Sequence, residues 1–524
     1  MTGFDDPFEG YSLLLRVIVY GVVPLFTLLQ VVRLRRALHI FQLEGYKRSR
    51  FLQWCSVNRQ RSLFLRSATA KKPLVMTARA WRILSASAVL SLLAVLVPPA
   101  LAHLAGGAPY DLITWLAMTA AAFLGLPWLL VAGDALMSPV QGAINARFAA
   151  AARSKLESIE PTVVGITGSF GKTSTKFAVR DIAAGPGQAF ATPGSYNTPM
   201  GVTRAINEGL EFQHGLLVVE MGAYREGDIA ELCAFVRPTI GVLTAIGPVH
   251  LERFGSVDAI RRAKYELIEA LPGDGVAIMN AGDLDVRAMA ARTQHVRVLT
   301  YGMEPDVPPD VDKADIRIDI TAQNHSYGPN GTAMTIVDEE GNELIVRTTL
   351  LGAHAVNHVL AGVAVARVRG IPLNELGPRI AALQPVEHRL QLIHGAGGVT
   401  IVDDAYNSNP AGAVAAINVL ADLDETDSRR KIVVTPGMVE LGERQYEENK
   451  ELGAYAAMIA NYLIVVGKVN RDALCEGART GLNARAEVIV VDTLAQATEK
   501  LAQLKLGPGD WVLFENDLPD QYEG

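Results

Sequence analysis

A glycine-rich stretch, GITGSFGKTSTK at residues 165–176, carries the residue types that bind nucleotide phosphates. It follows a β-branched run and precedes a helix-forming run, which is the context that a phosphate-binding loop requires. Backbone N–H groups of residues 169–173 can surround phosphate oxygens, while Lys172 can reach the β- and γ-phosphates and the Thr173 hydroxyl can ligate Mg²⁺. Five residues rather than four separate the two outer glycines, so the stretch predicts a variant of the common loop.

This variant spacing resembles the TG-x-x-GKT[ST] loop of the Mur ligases, the ATP-dependent amide-bond ligases of peptidoglycan precursor synthesis. The resemblance implies an α/β fold, with a Mur ligase-type central P-loop ATPase domain and a C-terminal Rossmann-like domain. It also implies a working loop from Thr167 to Ser174. The implied nucleotide-binding residues of this loop are Gly168, Ser169, Phe170, Gly171, Lys172, Thr173 and Ser174.

Three further matches supply the metal ligands that the resemblance implies. The run LLVVEMGA ends a predicted strand at Glu220, TAIGPVHLERFGS places His250 after another strand, and Lys264 occupies the K-x-E position where the family has a lysine carbamylated by CO₂. Two Mg²⁺ ions are implied, one near Thr173 and Glu220 and one near His250 and Lys264. The implied catalytic residues are Lys172, His250 and Lys264.

Two loops resemble substrate and adenine contacts of the family. TPGSYNTPMGVT resembles an Asn- and Gly-containing stretch of the family, which implies that Asn197 lies near substrate and metal, although Ser195 replaces the first Asn. LLGAHAVNHVLAG resembles a G-x-H-N-x-x-N helix start, although Ala355 replaces the first Asn of that motif. Asn357, one position before the second Asn, is the residue expected to contact adenine.

The third region of resemblance is VEHRLQLIHGAGGVTIVDDAYNSNP, residues 386–410. It is similar to the G-R-x-Q…D-D-x-Y-N-x-N-P signature of the Mur ligases that add D-alanyl-D-alanine to a tripeptide. The match implies that Arg389 contacts the ATP phosphates and that Asp404 holds the ribose. The implied residues that line the closed substrate cleft are Tyr406, Asn407 and Asn409.

The resemblance covers about residues 160–515 and departs from the family at both ends. Residues 514–521 read FENDLPDQ, where the tripeptide ligases have a KGS-type segment that helps to hold the incoming dipeptide. Residues 1–150 stand where those enzymes have a soluble domain for the UDP-sugar peptide. The acceptor carboxylate and the incoming amine therefore stay open, and D-alanyl-D-alanine is one candidate amine.

Three apolar stretches of 22 residues occupy the N-terminal part: residues 11–32, 83–104 and 112–133. Each would extend about 33 Å as a helix, enough to cross a hydrocarbon core of about 30 Å. We therefore expect an α-helical membrane segment of about three spans. The intervening residues 33–82 contain thirteen Lys or Arg and one acidic residue, so this basic loop is expected in the cytoplasm. That orientation would also place everything after residue 134 in the cytoplasm, where ATP is available.

The bulk composition excludes several classes of protein. A net charge of −7 argues against a general nucleic-acid binder. The three cysteines, Cys55, Cys233 and Cys475, lie too far apart to suggest a disulfide framework or a zinc site. Within the predicted spans only Arg16 is charged, which gives a transporter no obvious pathway.

The predicted organisation is a transmembrane segment at 1–150, a central ATP-binding ligase domain at 155–384 and a C-terminal Mur ligase domain at 385–524, with an antiparallel insertion at 314–350. The implied activity is amide-bond formation through an acyl phosphate at the cytoplasmic face of a bacterial-type plasma membrane. The partners would be a small-molecule or lipid-linked carboxylate and an amino-acid or peptide amine. A membrane-anchored poly-γ-glutamate-type ligase and a non-catalytic ATP-binding scaffold remain alternatives, and the oligomeric state is open.

Overall fold

The computed structural model describes residues 13–58, 73–106, 110–185, 188–249, 251–304, 318–423 and 429–518. The chain divides into two compact units, residues 1–147 and residues 148–524. The helices are Leu13–Leu43, Arg48–Val57, Ala78–Gly106, Tyr110–Leu124, Leu126–Ile159, Lys172–Ala183, Pro199–Gly209, Asp228–Val236, Leu251–Phe254, Val257–Glu269, Leu284–Arg292, Ala353–Val368, Gly377–Ala381, Pro410–Asp422, Gln445–Ile459, Arg471–Thr480 and Leu494–Gln503.

Fifteen strands form two sheets within the described residues. They are β1 (Thr162–Thr167), β2 (Gln188–Ala191), β3 (His214–Glu220), β4 (Ile240–Leu243), β5 (Val276–Asn280), β6 (Arg297–Met303), β7 (Ile320–Gly328), β8 (Gly331–Val337), β9 (Glu343–Thr348), β10 (Gln391–His394), β11 (Thr400–Asp404), β12 (Lys431–Thr435), β13 (Tyr462–Val466), β14 (Glu487–Val491) and β15 (Trp511–Glu515). Both sheets belong to the second unit.

The first unit is helical and contains one clear candidate membrane span. Residues Ala78–Ala102 form 25 residues of a helix with a mean hydropathy of 2.1, and only 22 % of its most apolar window is buried. The first predicted span lies partly outside the described residues. In the part that the structure describes there is one helix that could cross a membrane, or two if a bent helix pair counts as one span. The prediction of three spans is therefore not supported.

The third apolar stretch is not the straight helix that its composition predicts. The chain breaks at Gly125, and the helical segments on either side are bent by 76°. The break exposes carbonyl groups at the end of the preceding helix, which need other donors. Gln30 Nε2 donates to the Ala122 carbonyl at 3.1 Å and Arg33 Nη1 to the Phe123 carbonyl at 2.6 Å. These side chains from a distant helix stabilise a bend that hydropathy alone does not reveal.

The basic region of the first unit is organised around a buried carboxylate. Asp134 is 6 % exposed, and it pairs with Arg48 at 2.6 Å and Arg79 at 3.5 Å. Part of the predicted basic loop is therefore packed structure, while residues 59–72 lie outside the description.

The larger sheet of the second unit positions the phosphate-binding loop. Its strand order is β2-β3-β1-β4-β5-β6-β7-β8-β9, parallel as far as β7. Val164 and Val218 face one hydrophobic core, and Leu217 and Val219 face the other. Burial on both faces explains the continuous apolar runs in these strands. The carboxyl ends of β1 and β3, which are adjacent and parallel, bring the loop and Glu220 to one edge.

Strands β7, β8 and β9 confirm the antiparallel pairing predicted between the two nucleotide-type domains. They do not form a separate insertion, because β7 pairs in parallel with β6 and the three strands extend the central sheet. Residues 305–317, which precede them, lie outside the description.

The smaller sheet has the order β10-β11-β15-β12-β13-β14, and only β10 is antiparallel to its neighbour. Hydrophobic side chains cover both of its faces, as a doubly wound α/β domain requires. In the register of β11 and β15, Asp404 lies opposite Glu515. Two carboxyl groups thus lie side by side at the carboxyl ends of these two strands.

Candidate active site

The phosphate-binding loop obtains its shape from two glycines with positive φ. Gly168 has φ +148° and Gly171 has φ +76°, and a side chain at 171 would also meet the His358 ring at 3.0 Å. Ser169 anchors the loop because its Oγ accepts the Gly247 N–H at 2.9 Å and donates to the Gly247 carbonyl. The Phe170 ring packs against the same glycine. The backbone between the two loop glycines is thereby held in the open curve that suits phosphate oxygens.

Lys172 lies at the centre of this loop. Its Nζ donates to the Gly168 carbonyl at 2.7 Å and to the Ser169 carbonyl at 3.1 Å. Burial lowers the pKa of Lys172, while the nearby Glu220 opposes that effect and Arg389 adds to it. The lysine therefore already lies within electrostatic reach of groups from both domains.

Glu220 brings together two residues that the sequence predicts for metal and substrate binding. Its carboxyl group is 2 % exposed. It accepts hydrogen bonds from Thr173 Oγ1 at 3.0 Å and from Asn197 Nδ2 at 3.2 Å. A hydroxyl and a carboxylate are the hard oxygen ligands that Mg²⁺ prefers, and Mg²⁺ commonly takes its remaining ligands from water and substrate phosphates. The pair of Thr173 and Glu220 therefore fits one Mg²⁺ beside the loop.

Lys176 is a functional candidate that the sequence analysis missed. It is fully buried, and its Nζ donates to Glu220 Oε2 at 3.1 Å and to the Gly194 carbonyl. Burial lowers the pKa of Lys176, and the adjacent Glu220 carboxylate counteracts that shift. It follows Lys172 by four residues, so the two side chains share a helix face. That spacing in the sequence could have identified Lys176 as a second lysine beside the phosphate-binding loop.

Lys264 lies in the interior, as a lysine that acts on a metal would. It is 2 % exposed, with its Nζ 6.0 Å from the Phe254 ring centre. Burial, assisted by the charge of Lys172, holds the pKa of Lys264 well below its usual range. His250 lies outside the described residues, so its predicted place beside Lys264 stays a prediction. Among the residues described, no group of three or more His, Cys, Asp or Glu is placed to hold a metal.

Two acidic residues of the neighbouring motifs serve as helix caps. Glu266, the acid of the K-x-E match, accepts backbone N–H groups of Gly227 at 2.6 Å and Ala230 at 2.9 Å. Asp283 accepts the Val286 N–H at 2.9 Å at the start of its own helix. Such caps satisfy the free N–H groups of a first helical turn. Glu266 therefore joins the helix that carries Lys264 to the start of the helix Asp228–Val236.

A cavity of about 260 Å³ lies beside the loop and is lined by both domains of the second unit. Its lining includes Phe170, Ser174, Asn357, Arg389 and Asp404. The Oδ1 atom of Asn357 is buried, with no hydrogen-bond partner among the described residues. A buried acceptor without a donor is unfavourable unless a ligand satisfies it. The exocyclic amino group of adenine is a donor of the right kind, so the cavity fits ATP with its base at Asn357 and its phosphates at the loop.

Two histidines that the sequence analysis missed form the wall next to the loop. His358 Nδ1 shares a hydrogen bond with Thr175 Oγ1 at 2.9 Å. Burial lowers the pKa of His358 to about 3 and that of His354 to about 4. Both rings are therefore neutral near pH 7, and this wall of the cavity adds no positive charge.

The C-terminal domain contributes Arg389 and Asp404 to the cavity. The guanidinium of Arg389 lies 4.5 Å from the ring centre of Tyr406, and its Nη1 donates to the Asn407 carbonyl at 3.3 Å. Asp404 accepts the Leu390 N–H at 3.3 Å. Burial raises the pKa of Asp404 to about 6, although Arg389 opposes the shift. Both side chains thus face the cavity in which the sequence predicts ATP.

The three residues predicted to line the substrate cleft do not share one surface. Tyr406 bonds through its hydroxyl to Ser195 of the central domain. Asn407 is exposed and offers its carbonyl to Arg389. Asn409 lines the cavity, but its side chain also caps the next helix by accepting the Gly412 N–H at 2.9 Å. Tyr406 and Asn407 therefore join parts of the cleft wall, whereas Asn409 starts a helix at its edge.

Glu515 is a buried carboxyl group at the position where the chain departs from the KGS-type segment. It is fully buried and accepts hydrogen bonds from Ser408 Oγ and from Thr435 Oγ1, the latter at 2.5 Å. Burial raises the pKa of Glu515 to about 7, and the charge of Asp404 contributes to the rise. This residue ties the turn after β11 to the ends of β12 and β15.

Comparison with known proteins matches the second unit. The family model of the Mur ligase middle domain matches residues 166–366, and that of the Mur ligase glutamate ligase domain matches residues 388–515. The UDP-N-acetylmuramoyl-tripeptide–D-alanyl-D-alanine ligase of Mycobacterium leprae is 35 % identical over 398 residues, covering 71 % of this chain and 74 % of that protein. The enzyme of the same name from Mycobacterium tuberculosis strain H37Rv is 33 % identical over 387 residues, covering 71 % and 73 %.

Solved structures give the same result. The MurF ligase of Thermotoga maritima in complex with ADP superposes with a TM-score of 0.61 at 27 % identity, covering 71 % of this chain and 80 % of that one. MurF of Acinetobacter baumannii superposes with a TM-score of 0.62 at 25 % identity, covering 72 % and 78 %.

Proposed function

The chain belongs to the Mur ligases and is an ATP-dependent acid–amino-acid ligase, and on that premise we propose that it extends a cell-envelope precursor at the cytoplasmic face of a membrane. The observation that carries the proposal is the cavity lined by the two catalytic domains, whose lining includes both the phosphate-binding loop and Asn357 with its unpaired Oδ1.

The proposed reaction has two steps. An acceptor carboxylate attacks the γ-phosphate of ATP to give an acyl phosphate and ADP, and the incoming amine then displaces phosphate to form the amide. Lys172 and Arg389 supply positive charge where negative charge accumulates on the phosphoryl group, which is the main task of a protein in such transfers. The contact of the two domains excludes water that would otherwise hydrolyse the acyl phosphate.

The proposed metal ligands divide into two sets. Thr173 and Glu220 would hold one Mg²⁺, which neutralises phosphate charge when bound. His250 and Lys264 would hold the second. Burial lowers the pKa of the Lys264 amine, which increases its neutral fraction, and the neutral amine is the form that adds CO₂. We therefore retain carbamylation of Lys264 as part of the proposal, and mass spectrometry of the intact protein in bicarbonate tests it.

The relatives named above act on UDP-N-acetylmuramoyl-tripeptide and D-alanyl-D-alanine, according to their names. We propose a carboxylate of this peptidoglycan type as the acceptor for this chain, either nucleotide-linked or delivered on a lipid. The incoming amine is an amino acid or a short peptide. Its identity needs direct measurement, because the buried Glu515 lies in the segment FENDLPDQ, which differs from the KGS-type segment of the tripeptide ligases.

The membrane part of the proposal rests on the first unit. Within the helix Ala78–Gly106, the large side chains of Leu92, Leu93, Leu96 and Leu101 are between 49 % and 60 % exposed. A continuous exposed apolar surface of this kind is unfavourable in water and favourable in lipid. We propose that this helix anchors the enzyme in a bacterial-type plasma membrane, with the catalytic domains in the cytoplasm.

Fractionation of cells that express the full chain tests the anchor. We expect the protein in the membrane fraction after carbonate washing, and its recovery in the soluble fraction would refute the anchor without touching the ligase activity.

The ligase activity is tested with the purified full chain in detergent micelles. Mg²⁺, ATP and UDP-N-acetylmuramoyl-tripeptide are supplied with single amines, including D-alanyl-D-alanine, and ADP release is coupled to mass spectrometry of the product. We expect one amine to give a product larger by one unit. A ladder of products would instead indicate a polymerising ligase, and ADP release no greater than that of Lys172→Ala with every pair would refute the proposed substrates.

A further inference from the structure

One hydrogen bond joins loops on opposite walls of the catalytic cleft. It links the Ser195 hydroxyl, between β2 and the helix Pro199–Gly209, to the Tyr406 hydroxyl in the turn after β11. Tyr406 is 48 % exposed and does not line the nucleotide cavity. Its position is therefore not explained by contact with ATP.

The loop of Ser195 is bonded to the carboxylate beside the phosphate-binding loop. Asn197 Nδ2 donates to Glu220 Oε1 at 3.2 Å. Lys176 Nζ donates both to Glu220 Oε2, at 3.1 Å, and to the Gly194 carbonyl. A displacement of residues 194–197 would therefore displace Asn197, a donor to Glu220, and also the Gly194 carbonyl that helps to orient the second donor, Lys176.

The other end of the connection is Arg389. Its guanidinium lies 4.5 Å from the Tyr406 ring centre, within the range of a cation–π contact. The same segment is fixed by backbone contacts, because the Tyr406 N–H donates to the His388 carbonyl at 3.3 Å and Arg389 Nη1 donates to the Asn407 carbonyl at 3.3 Å. The orientation of the guanidinium in the cavity thus depends on where the Tyr406 ring lies.

We propose that Tyr406 is a positioning residue that couples the Glu220 side of the cleft to Arg389. Its hydroxyl carries the connection to Ser195, and its ring orients the guanidinium. Because both contacts belong to one rigid side chain, a shift at either end is transmitted to the other. The inference rests on the proposed roles of Glu220 and Arg389 in binding Mg²⁺ and ATP, and it is independent of which acceptor and amine are used.

The first test is a double-mutant cycle on the full-length protein. Tyr406→Phe removes the hydroxyl and keeps the ring, while Ser195→Ala removes the same bond from the other wall. Binding of a non-hydrolysable ATP analogue with Mg²⁺ is measured by calorimetry. We expect each change to weaken binding by about fivefold, the order of one hydrogen bond. The double variant should be no weaker than either single variant, because both remove one contact.

The second readout is the Mg²⁺ requirement. If the two sides are coupled, Tyr406→Phe in the C-terminal domain should raise the Mg²⁺ concentration needed for half-maximal analogue binding. Ser195→Ala in the central domain should raise it by a similar factor. Ser195→Thr keeps a hydroxyl, so its analogue affinity and its Mg²⁺ requirement should both match those of the wild type. Tyr406→Leu also removes the ring from Arg389 and should weaken binding beyond Tyr406→Phe. Tyr446→Phe is the matched control, because it removes an exposed tyrosine hydroxyl that bonds Glu476.

Two results would overturn the coupling: additive losses in the double variant, or a Mg²⁺ requirement that Tyr406→Phe leaves unchanged. Thermal melting of each variant shows that the fold is retained. A wild-type protein that fails to bind the analogue would refute the ATP site itself, whereas failure of the ligase assay with normal analogue binding would refute only the substrates.

Discussion

The central domain and the C-terminal domain each form one wall of the catalytic cleft, here called the central wall and the C-terminal wall. The two walls are built in different ways. On the central wall the functional charges are almost fully buried: Glu220 and Lys264 are each 2 % exposed and Lys176 is 0 % exposed. On the C-terminal wall Tyr406 is 48 % exposed, and single hydrogen bonds hold it. Breaking a buried ion pair costs about 3–5 kcal/mol, whereas one hydrogen bond contributes about 1 kcal/mol.

This difference separates two tasks. The residues proposed to bind phosphate and metal on the central wall are held in place before any substrate binds, because their donors and acceptors already satisfy one another. The C-terminal wall adds Arg389 and Asp404 to the cavity beside a turn that individual hydrogen bonds and a cation–π contact hold. Changes in the central wall should therefore abolish turnover, and changes in the C-terminal wall should alter affinity and its dependence on pH.

The largest effect is expected for Lys172→Ala on the central wall. Loss of the ammonium within the phosphate-binding loop removes charge stabilisation from the phosphoryl group, so ADP formation should fall by about 10³-fold. Lys500→Ala, in an exposed helix of the C-terminal domain, is the control and should match the wild type. Residual turnover of Lys172→Ala above a tenth of the wild-type rate would contradict the assignment of this lysine.

Glu220→Gln should raise the Mg²⁺ requirement by about 10- to 100-fold, the range in which metal affinity falls when supporting groups are lost. The change also leaves Lys176 buried without its anion, so the melting temperature should fall. Measuring ADP release against Mg²⁺ concentration separates the two effects.

Two further variants sharpen the Glu220 prediction. Glu220→Gln combined with Lys176→Met removes both buried charges and should recover melting temperature without recovering the Mg²⁺ requirement. Glu226→Gln, an exposed acid paired with Arg262, should change neither. Recovery of the Mg²⁺ requirement in the double variant would show that Glu220 acts only through packing.

The contiguous part of the site could be predicted from the sequence. The phosphate-binding loop is one segment whose glycines, lysine and threonine fix their own geometry, and Glu220 ends a strand adjacent to it. The bonds of Lys176 to Gly194 and of Ser195 to Tyr406 could not be predicted, because they join residues 18 and 211 positions apart. Spacing rules apply within one element and not between distant loops.

The predicted three-span segment shows the same limit. Residues 112–133 are apolar throughout, and apolar composition alone cannot distinguish a straight helix from two helices. The bend at Gly125 depends on hydrogen bonds from Gln30 to Ala122 and from Arg33 to Phe123. The paired residues are 92 and 90 positions apart in the sequence. Tertiary contacts at that break therefore override the local hydropathy.

On the C-terminal wall, Asp404→Asn tests the pH dependence of nucleotide binding. Because burial raises the pKa of Asp404 to about 6, the wild-type carboxyl gains a proton as the pH falls from 7.5 to 5.5. Its acceptor strength for a ribose hydroxyl then declines, and ADP affinity should fall by about fourfold at most, because about a quarter of the carboxyl groups stay ionised at pH 5.5. Calorimetry with ADP over this range measures the effect.

Protonation of ADP itself contributes equally to wild type and variant, so the difference between their pH profiles isolates Asp404. The Asn side chain stays neutral throughout, and the profile of Asp404→Asn should be flatter. Asp492→Asn, an exposed acid paired with Arg471, should keep the wild-type profile. Parallel profiles of wild type and Asp404→Asn would remove Asp404 from the ribose site.

The smallest effect on turnover, at most about twofold, is expected for Glu515→Gln, whose effect should appear as a change in stability. The pKa of Glu515 is raised from 4.5 to about 7, so the folded state holds this proton more tightly than the unfolded state. Ionisation therefore destabilises the wild type as the pH rises through that window, by about 3 kcal/mol at about 1.4 kcal/mol per pKa unit.

Melting temperatures measured from pH 4.5 to pH 8 should fall by several degrees more in the wild type than in Glu515→Gln. Asp404 titrates in the same direction in both proteins, so only the difference between the two curves reports Glu515. Equal slopes would mean that Glu515 stays ionised in its place between Ser408 and Thr435, and that the C-terminal wall tolerates a buried charge as the central wall does.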